Sequence, residues 1–215
     1  MLGTFIMLAT YVLFYLMTAF TLTYGTAAAT QDAALAAEKA GKTFDPAGFV
    51  PGLGYTRNDF LIMLIVGVVF FGVFTLVSGP LAERFGRRKT LIGVTLGIIA
   101  FGLLFVPLFA GSPVGAMGLL IVGFTLMGLT FGPMGAELPE LFPTNVRYTG
   151  SAVAYNLSSV LGAAVAPTIA VWLWTIGGGS TVWVGVYLST AGALTLLALL
   201  LSHETKDVDY TGAGS

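Results

Sequence analysis

Residues 60–78 read FLIMLIVGVVFFGVFTLVS, nineteen positions without a charge, and run straight into Gly79-Pro80-Leu81-Ala82-Glu83-Arg84-Phe85-Gly86-Arg87-Arg88. An α-helix rises about 1.5 Å per residue, so roughly 20 apolar residues cross the roughly 30 Å hydrocarbon core of a bilayer. Outward from this stretch, residues 2–24, 90–110, 115–136, 150–176 and 181–201 are comparably long and equally free of charge. The pattern predicts an all-α membrane protein with six transmembrane helices, filling residues 1–202 as one bundle.

Composition agrees. Charged residues make up 9% of the 215, against about 25% in soluble domains, and 56% are hydrophobic. The absence of cysteine excludes a disulfide framework, thiol catalysis and a zinc–thiolate site. The sole histidine, His203, lies beyond the last apolar stretch with no metal or nucleophile constellation around it, so no enzyme, metal or cofactor is expected. No glycine-rich phosphate loop followed by Lys-Ser/Thr occurs, which argues against ATP-driven pumping, and no nucleic-acid partner is expected. The first apolar stretch is longer than the core of a signal peptide and no Lys or Arg precedes it, so it reads as a spanning helix. The first charge is Asp32, and whether Met1 is the natural start is left open.

Charge placement orients the helices. Six crossings put Arg84, Arg87, Arg88, Lys89, Arg147 and Lys206 on one side, against Lys39, Lys42 and Arg57 on the other. Six cations against three favour both termini in the cytoplasm, with loop 25–59 external and residues 203–215 a cytoplasmic tail. Within that loop the alanine-rich segment Gln31–Ala40 is expected to form a short helix. Gly41–Tyr55, with Pro46 and Pro51, is expected to be irregular. It reads either as a solvated excursion or as a lid over a substrate path. Gly128 and Gly132, at GxxxG spacing with Gly135 on the same face, suit close helix packing. Pro107, Pro133 and Pro167 are expected as kinks within or near helices.

The segment Gly79–Arg88 resembles the loop signature of the major facilitator superfamily, found between the second and third helices of each six-helix half. The run Pro139-Glu140-Leu141-Phe142-Pro143-Thr144-Asn145-Val146-Arg147-Tyr148-Thr149-Gly150 is similar to the loop between the fourth and fifth helices of the second half in its metabolite:proton symporter family. Tyr155-Asn156-Leu157-Ser158-Ser159-Val160-Leu161-Gly162, Ala166-Pro167 and Glu204-Thr205-Lys206 extend the likeness over essentially the whole chain. Glu83 stands where the signature more usually has aspartate, and His203 where the ending has proline. The resemblance implies the carboxy-terminal half of a twelve-helix carrier, with an amino-terminal six-helix half as missing partner.

By that resemblance, Gly79, Glu83, Arg84, Gly86, Arg87, Arg88, Glu140 and Arg147 would form a cytoplasmic gate that breaks and re-forms during alternating access. Gly79 and Gly86 are expected to allow tight turns, and the arginines to offer forks to carboxylates. The competing reading is that these charges only enforce topology. Helix faces suggest a substrate path. Tyr11, Tyr15, Thr18 and Thr21 share one face of the first helix, Met127, Thr130, Met134 and Glu137 one face of the fourth, and Ser151, Tyr155, Ser158 and Gly162 one face of the fifth, beside Asn156. Tyr11, Tyr15, Thr18, Thr130, Tyr155 and Asn156 are the candidate contacts, against a reading in which hydroxyls only bridge helices. Glu137 is the candidate proton-coupling acid if buried, and a topology-side acid if it reaches the headgroups.

The expected function is proton-coupled symport, across a bacterial plasma membrane, of a small metabolite such as an organic acid or a zwitterionic osmolyte. No Lys or Arg lies inside the six stretches, so an anionic substrate would need a counter-charge from the other half. The alternative is a truncated or split half-transporter, inactive until paired with an amino-terminal half.

Overall fold

The first rod comprises α1 (Leu2–Tyr15), a π-helical turn at Leu16–Phe20, and α2 (Thr21–Thr26). The π turn has a local cause. Thr18 and Thr21 donate their hydroxyls to the Phe14 and Met17 carbonyls at 2.8 and 2.5 Å, and the Thr21 amide reaches back to Leu16 O. Hydroxyls competing for ladder carbonyls loosen a helix there. The computed structural model describes residues 2–109, 112–140, 142, 145–160, 162 and 165–202, except the side chains of residues 2, 109, 136, 137 and 140. The tail, with His203, Glu204 and Lys206, lies outside the described residues.

α3 (Thr30–Lys39) falls on the alanine-rich segment and buries none of its side chains. The chain then returns to the end of α2. The amides of Gly52, Leu53, Gly54 and Tyr55 donate to the carbonyls of Ala28, Tyr24, Ala27 and Gly25 at 2.8–3.0 Å. Carbonyls at the end of α2, which a helix leaves without internal partners, are thereby satisfied. Trp174 adds a bond from its indole Nε1 to Pro51 O at 3.2 Å.

Thr56 opens α4 (Arg57–Phe85): its hydroxyl accepts from the Asp59 amide at 3.2 Å and donates to the Asp59 carboxylate at 2.7 Å. At 29 residues α4 is about 43 Å long. Ile62, Ile65, Val69, Val73 and Leu76 lie exposed along it at helical spacing, the face a bilayer would cover. α4 does not stop at Gly79. It runs through Gly79 and Pro80 to Phe85, so the expected turn at Gly79 is absent, and Gly86 alone (φ +94°) joins it to α5 (Arg87–Leu103). Its seam with a later helix, where Ser78 packs on Gly132, accompanies this continuity.

The third and fifth predicted crossings are each divided. α5 stops at Leu103, and α6 (Phe105–Phe109) follows after one residue, with Pro107 inside it. Proline lacks the amide that would bond Leu103 O and its ring crowds that carbonyl, which favours a break at this point. α7 (Pro113–Glu140) is continuous, with Pro133 and Pro139 inside it. α8 (Arg147–Val160) and α9 (Ala166–Ile176) make up the fifth rod; Gly162 and Val165 between them are π-helical, and Pro167 sits in the first turn of α9. α10 (Val182–Leu201) completes the bundle.

Four stretches are long and apolar enough to cross a membrane: one within Gly3–Lys39, then Arg57–Phe85, Pro113–Gly135 and Val182–Leu201. With the two divided rods they form a six-helix, multi-pass bundle, all-helical among the described residues. Two glycine seams hold it. Between α4 and α7, Gly67 faces Phe124 while Gly128 lies on the backbone of Phe71 and Thr75; between α5 and α10, Gly102 and Gly185 meet backbone to backbone. Without a hydrophobic force in lipid, such close approach supplies the packing. Leu13, Leu16, Phe20, Phe60, Ile98, Phe101, Leu120, Phe124 and Leu188 fill the centre.

Candidate functional site

α1, α7 and α8 leave a cavity of about 340 Å³ between them. Met7 lines it from α1, Phe131, Met134, Gly135 and Leu138 from α7, and Tyr148, Ser151 and Tyr155 from α8. The helical period explains the set. Met134 and Leu138 are one turn apart, as are Tyr148, Ser151 and Tyr155 in succession, so each helix contributes one face. Gly135 has nothing within 4 Å of where a Cβ would stand, so it opens the wall instead of joining the seam made by Gly128 and Gly132.

Behind this wall stands Tyr11. It is 7% exposed and meets Tyr155 edge to face, ring centroids 5.7 Å apart at 86°. Its hydroxyl is buried without a hydrogen-bond partner among the described residues, although a buried phenol ordinarily finds one. Tyr155, 49% exposed, separates that hydroxyl from the open side. Gly162 packs directly on Tyr11 Cβ, and Ser158 donates at 2.9 Å to Thr4 O on α1 and at 2.8 Å to Ala154 O. The fifth-helix stripe therefore faces α1.

Other candidate path residues lie elsewhere. Tyr15 packs edge-on against Phe14 at 5.0 Å, at the last residue before the π turn. Thr18 is bonded to its own helix. Thr130 is buried and donates to Met127 O at 2.8 Å, a bond within α7. Neither threonine lines the cavity. Asn156, one position from Tyr155, lines an adjoining open groove with Thr149, Val153 and Val160, which shares Tyr148 and Ala152 with the cavity, and donates to Ala152 O at 2.8 Å. Glu137 and Glu140 lie on the last turns of α7, with side chains outside the described residues.

At the charged end of the bundle one arginine caps a helix. Arg88 donates Nε to Leu199 O at 2.7 Å and Nη2 to Leu200 O at 2.9 Å, capping the last carbonyls of α10. A cation there satisfies orphan acceptors and opposes the negative end of the helix dipole. Arg147, at the start of α8, reaches Phe142 O at 3.4 Å through Nε. Glu83 and Arg84 are exposed, and Arg84 lies 5.4 Å over the Phe85 ring. Arg87 begins α5, directly after Gly86.

Three features escaped the sequence reading. Met7 and Phe131 help to line the cavity; Met7 lies one turn before Tyr11, a spacing that would have found it. Thr195 carries no such signal. Its hydroxyl accepts from the Ala9 amide at 3.0 Å and donates to Phe5 O at 2.7 Å, standing between the two groups that would otherwise close an α1 ladder bond. The Arg88 cap is the third.

Comparison with known proteins gives the context. A family model described as "Sugar (and other) transporter" matches residues 47–211. The chain is 51% identical over 207 residues to the inner membrane metabolite transport protein YhjE of Escherichia coli, covering 95% of this chain and 42% of that one. It is 31% identical over 179 residues to the glycine betaine/proline/ectoine/pipecolic acid transporter OusA of Dickeya dadantii, and 30% over 178 residues to the proline/betaine transporter of Escherichia coli, each covering 80% of this chain and 34% of the relative. The chain thus spans less than half the length of these relatives. No solved structure matches it. The match over most of the chain, on a six-helix bundle carrying the loop signature at its α4–α5 turn, shows that the chain belongs to the sugar (and other) transporter family of the major facilitator superfamily.

Proposed function

We propose that this chain is the carboxy-terminal lobe of a secondary transporter in a bacterial plasma membrane, moving a small zwitterionic or anionic metabolite by alternating access, coupled to protons. The observation that carries the reading is the cavity among α1, α7 and α8, backed by the unpartnered Tyr11 hydroxyl. An apolar cavity with few polar groups suits a small ligand that those groups orient. Among the described residues no cation lines it, which favours a zwitterion whose carboxylate meets phenol and serine hydroxyls, or an anion whose counter-charge comes from another lobe. The printed names of OusA and the proline/betaine transporter point to the same zwitterionic class.

In this reading both termini are cytoplasmic, and Glu83, Arg84, Arg87, Glu140 and Arg147 form the gate at that end. Gly79 and Gly86 give it room, and Arg88 holds the last helix in place. Glu137 carries the coupling proton. The test is uptake of proline, glycine betaine and organic acids into proteoliposomes, with this chain alone and coexpressed with the amino-terminal half of a relative. Tyr155→Phe should raise KM about tenfold for the substrate taken up, the loss of one orienting hydrogen bond, and Glu137→Gln should remove dependence on a proton gradient. No uptake from any panel member in either format sinks the reading.

A second reading is that this lobe is silent until paired with an amino-terminal half. Transport by the paired form only selects it.

A further inference from the structure

A second groove, of about 560 Å³, lies at the turn between α4 and α5 and shares no lining residue with the α1–α7–α8 cavity. Leu81 and Phe85 line it from α4, and Gly93 and Val94 from α5. Arg84 and Lys89 line it too, both exposed. Both cations sit at one end of it, beside Phe85. Arg84 and Lys89 flank Gly86, while Leu81, Gly93 and Val94 lie about one helical turn, or about 6 Å, further toward the middle of the bundle. Along its length the groove therefore changes from cationic at the turn to apolar within the membrane zone.

Among the described residues nothing neutralises that end. Among the described residues neither Arg84 nor Lys89 is paired with a carboxylate, and the neighbouring Glu83 does not line the groove. Arg84 is held over the Phe85 ring, which fixes its guanidinium at the rim. α5 starts without an acidic residue in its first turn and without a side-chain cap, so its free amides add to the positive potential. The Thr90 hydroxyl is occupied by Gly86 O at 2.8 Å and does not compete. Gly93 has nothing within 4 Å of a Cβ position, which leaves the apolar part open.

We propose that this groove binds an anionic diacyl phospholipid, its phosphodiester between Arg84 and Lys89 and one acyl chain along Leu81, Gly93 and Val94. Charge complementarity selects the headgroup, and the apolar run distinguishes a lipid from a free phosphate. Cations near an anionic lipid each strengthen binding about fivefold, so removing both should weaken it about thirtyfold.

The test is native mass spectrometry of the full chain released from detergent micelles, titrated with phosphatidylglycerol and separately with phosphatidylcholine. Wild type should retain phosphatidylglycerol and not phosphatidylcholine. R84Q/K89Q should lose about thirtyfold in affinity, and Gly93→Phe, which fills the apolar part and changes no charge, should lose binding as well. K39Q/K42Q, the same loss of charge on the α3 side, should bind like wild type. Far-UV circular dichroism on melting establishes that each variant is folded, and Gly93→Phe decides the matter if the double variant is not. Unchanged binding by R84Q/K89Q and Gly93→Phe overturns the proposal, as does an equal loss in K39Q/K42Q. Displacement of phosphatidylglycerol by millimolar glycerol phosphate overturns it in favour of a soluble-phosphate site.

Discussion

Replacing Thr195 by valine tests whether one hydroxyl fastens the last helix to the first. The side chain is buried, and its oxygen holds the Ala9 amide at 3.0 Å and Phe5 O at 2.7 Å. Valine keeps the shape and removes both bonds, and its methyl occupies the place of the bridging oxygen. Interhelical hydrogen bonds in membranes contribute about 0.6 kcal/mol on average and at most about 1.7. Two such bonds put the loss at about 1–3 kcal/mol. Thr195→Ser keeps the bridge and gives up one methyl, about 0.8 kcal/mol. Unfolding in mixed micelles, titrated with SDS and followed by circular dichroism, separates the two. The reasoning fails if Thr195→Val is as stable as wild type, or if Thr195→Ser falls as far as Thr195→Val. Either result would mean that the α1 ladder closes on itself and the bridge is incidental.

Three further predictions use the same unfolding assay. Gly128→Ala drives a methyl into the backbone of Phe71 and Thr75 and should cost about 1–3 kcal/mol, whereas Gly72→Ala, with open space around it, should be neutral or stabilising by up to about 1 kcal/mol. Gly86→Ala should cost about 1–3 kcal/mol, because φ +94° is a region that side chains with a Cβ resist; equal stability would show that the α4–α5 turn has relaxed. Arg88→Lys keeps the charge and loses the fork, so amide exchange at the α10 end, near residues 199–202, should quicken several-fold, with about 1 kcal/mol lost overall. Unchanged exchange there would remove the capping role.

Much of the architecture was legible because lipid demands long uninterrupted apolar runs, and α4 shows this most plainly. What the sequence could not distinguish was a kink from a break. Pro107 and Pro167 were visible, yet one accompanies a five-residue helix after a stop and the other follows π-helical residues at the start of α9. Gly79 illustrates the reverse error. A glycine followed by proline reads as a turn, but the helix continues through both, alongside the contact of Ser78 with Gly132, fifty-four positions away in the chain. The site divides similarly. Tyr155 reaches the cavity and Tyr11 packs edge-on against it, a contact between two helices that neither helix face encodes. Thr18 and Thr130 share those stripes but spend their hydroxyls on their own helices, a local choice that periodicity does not encode. Arg88 was legible as a cation. Its acceptors, carbonyls 111 and 112 positions further along, belong to the tertiary structure alone.

The four backbone bonds that join residues 52–55 to the end of α2 give the first two long rods unequal freedom. At that end they are tied like the closed end of tongs, by connections that side-chain substitution leaves largely untouched. At the other, α4 is joined to α5 through the single residue Gly86. Any motion of one rod against the other is then an arc about the tied end, widest where the arginines stand, and lengthening the chain between residues 41 and 50 should leave its amplitude unaltered.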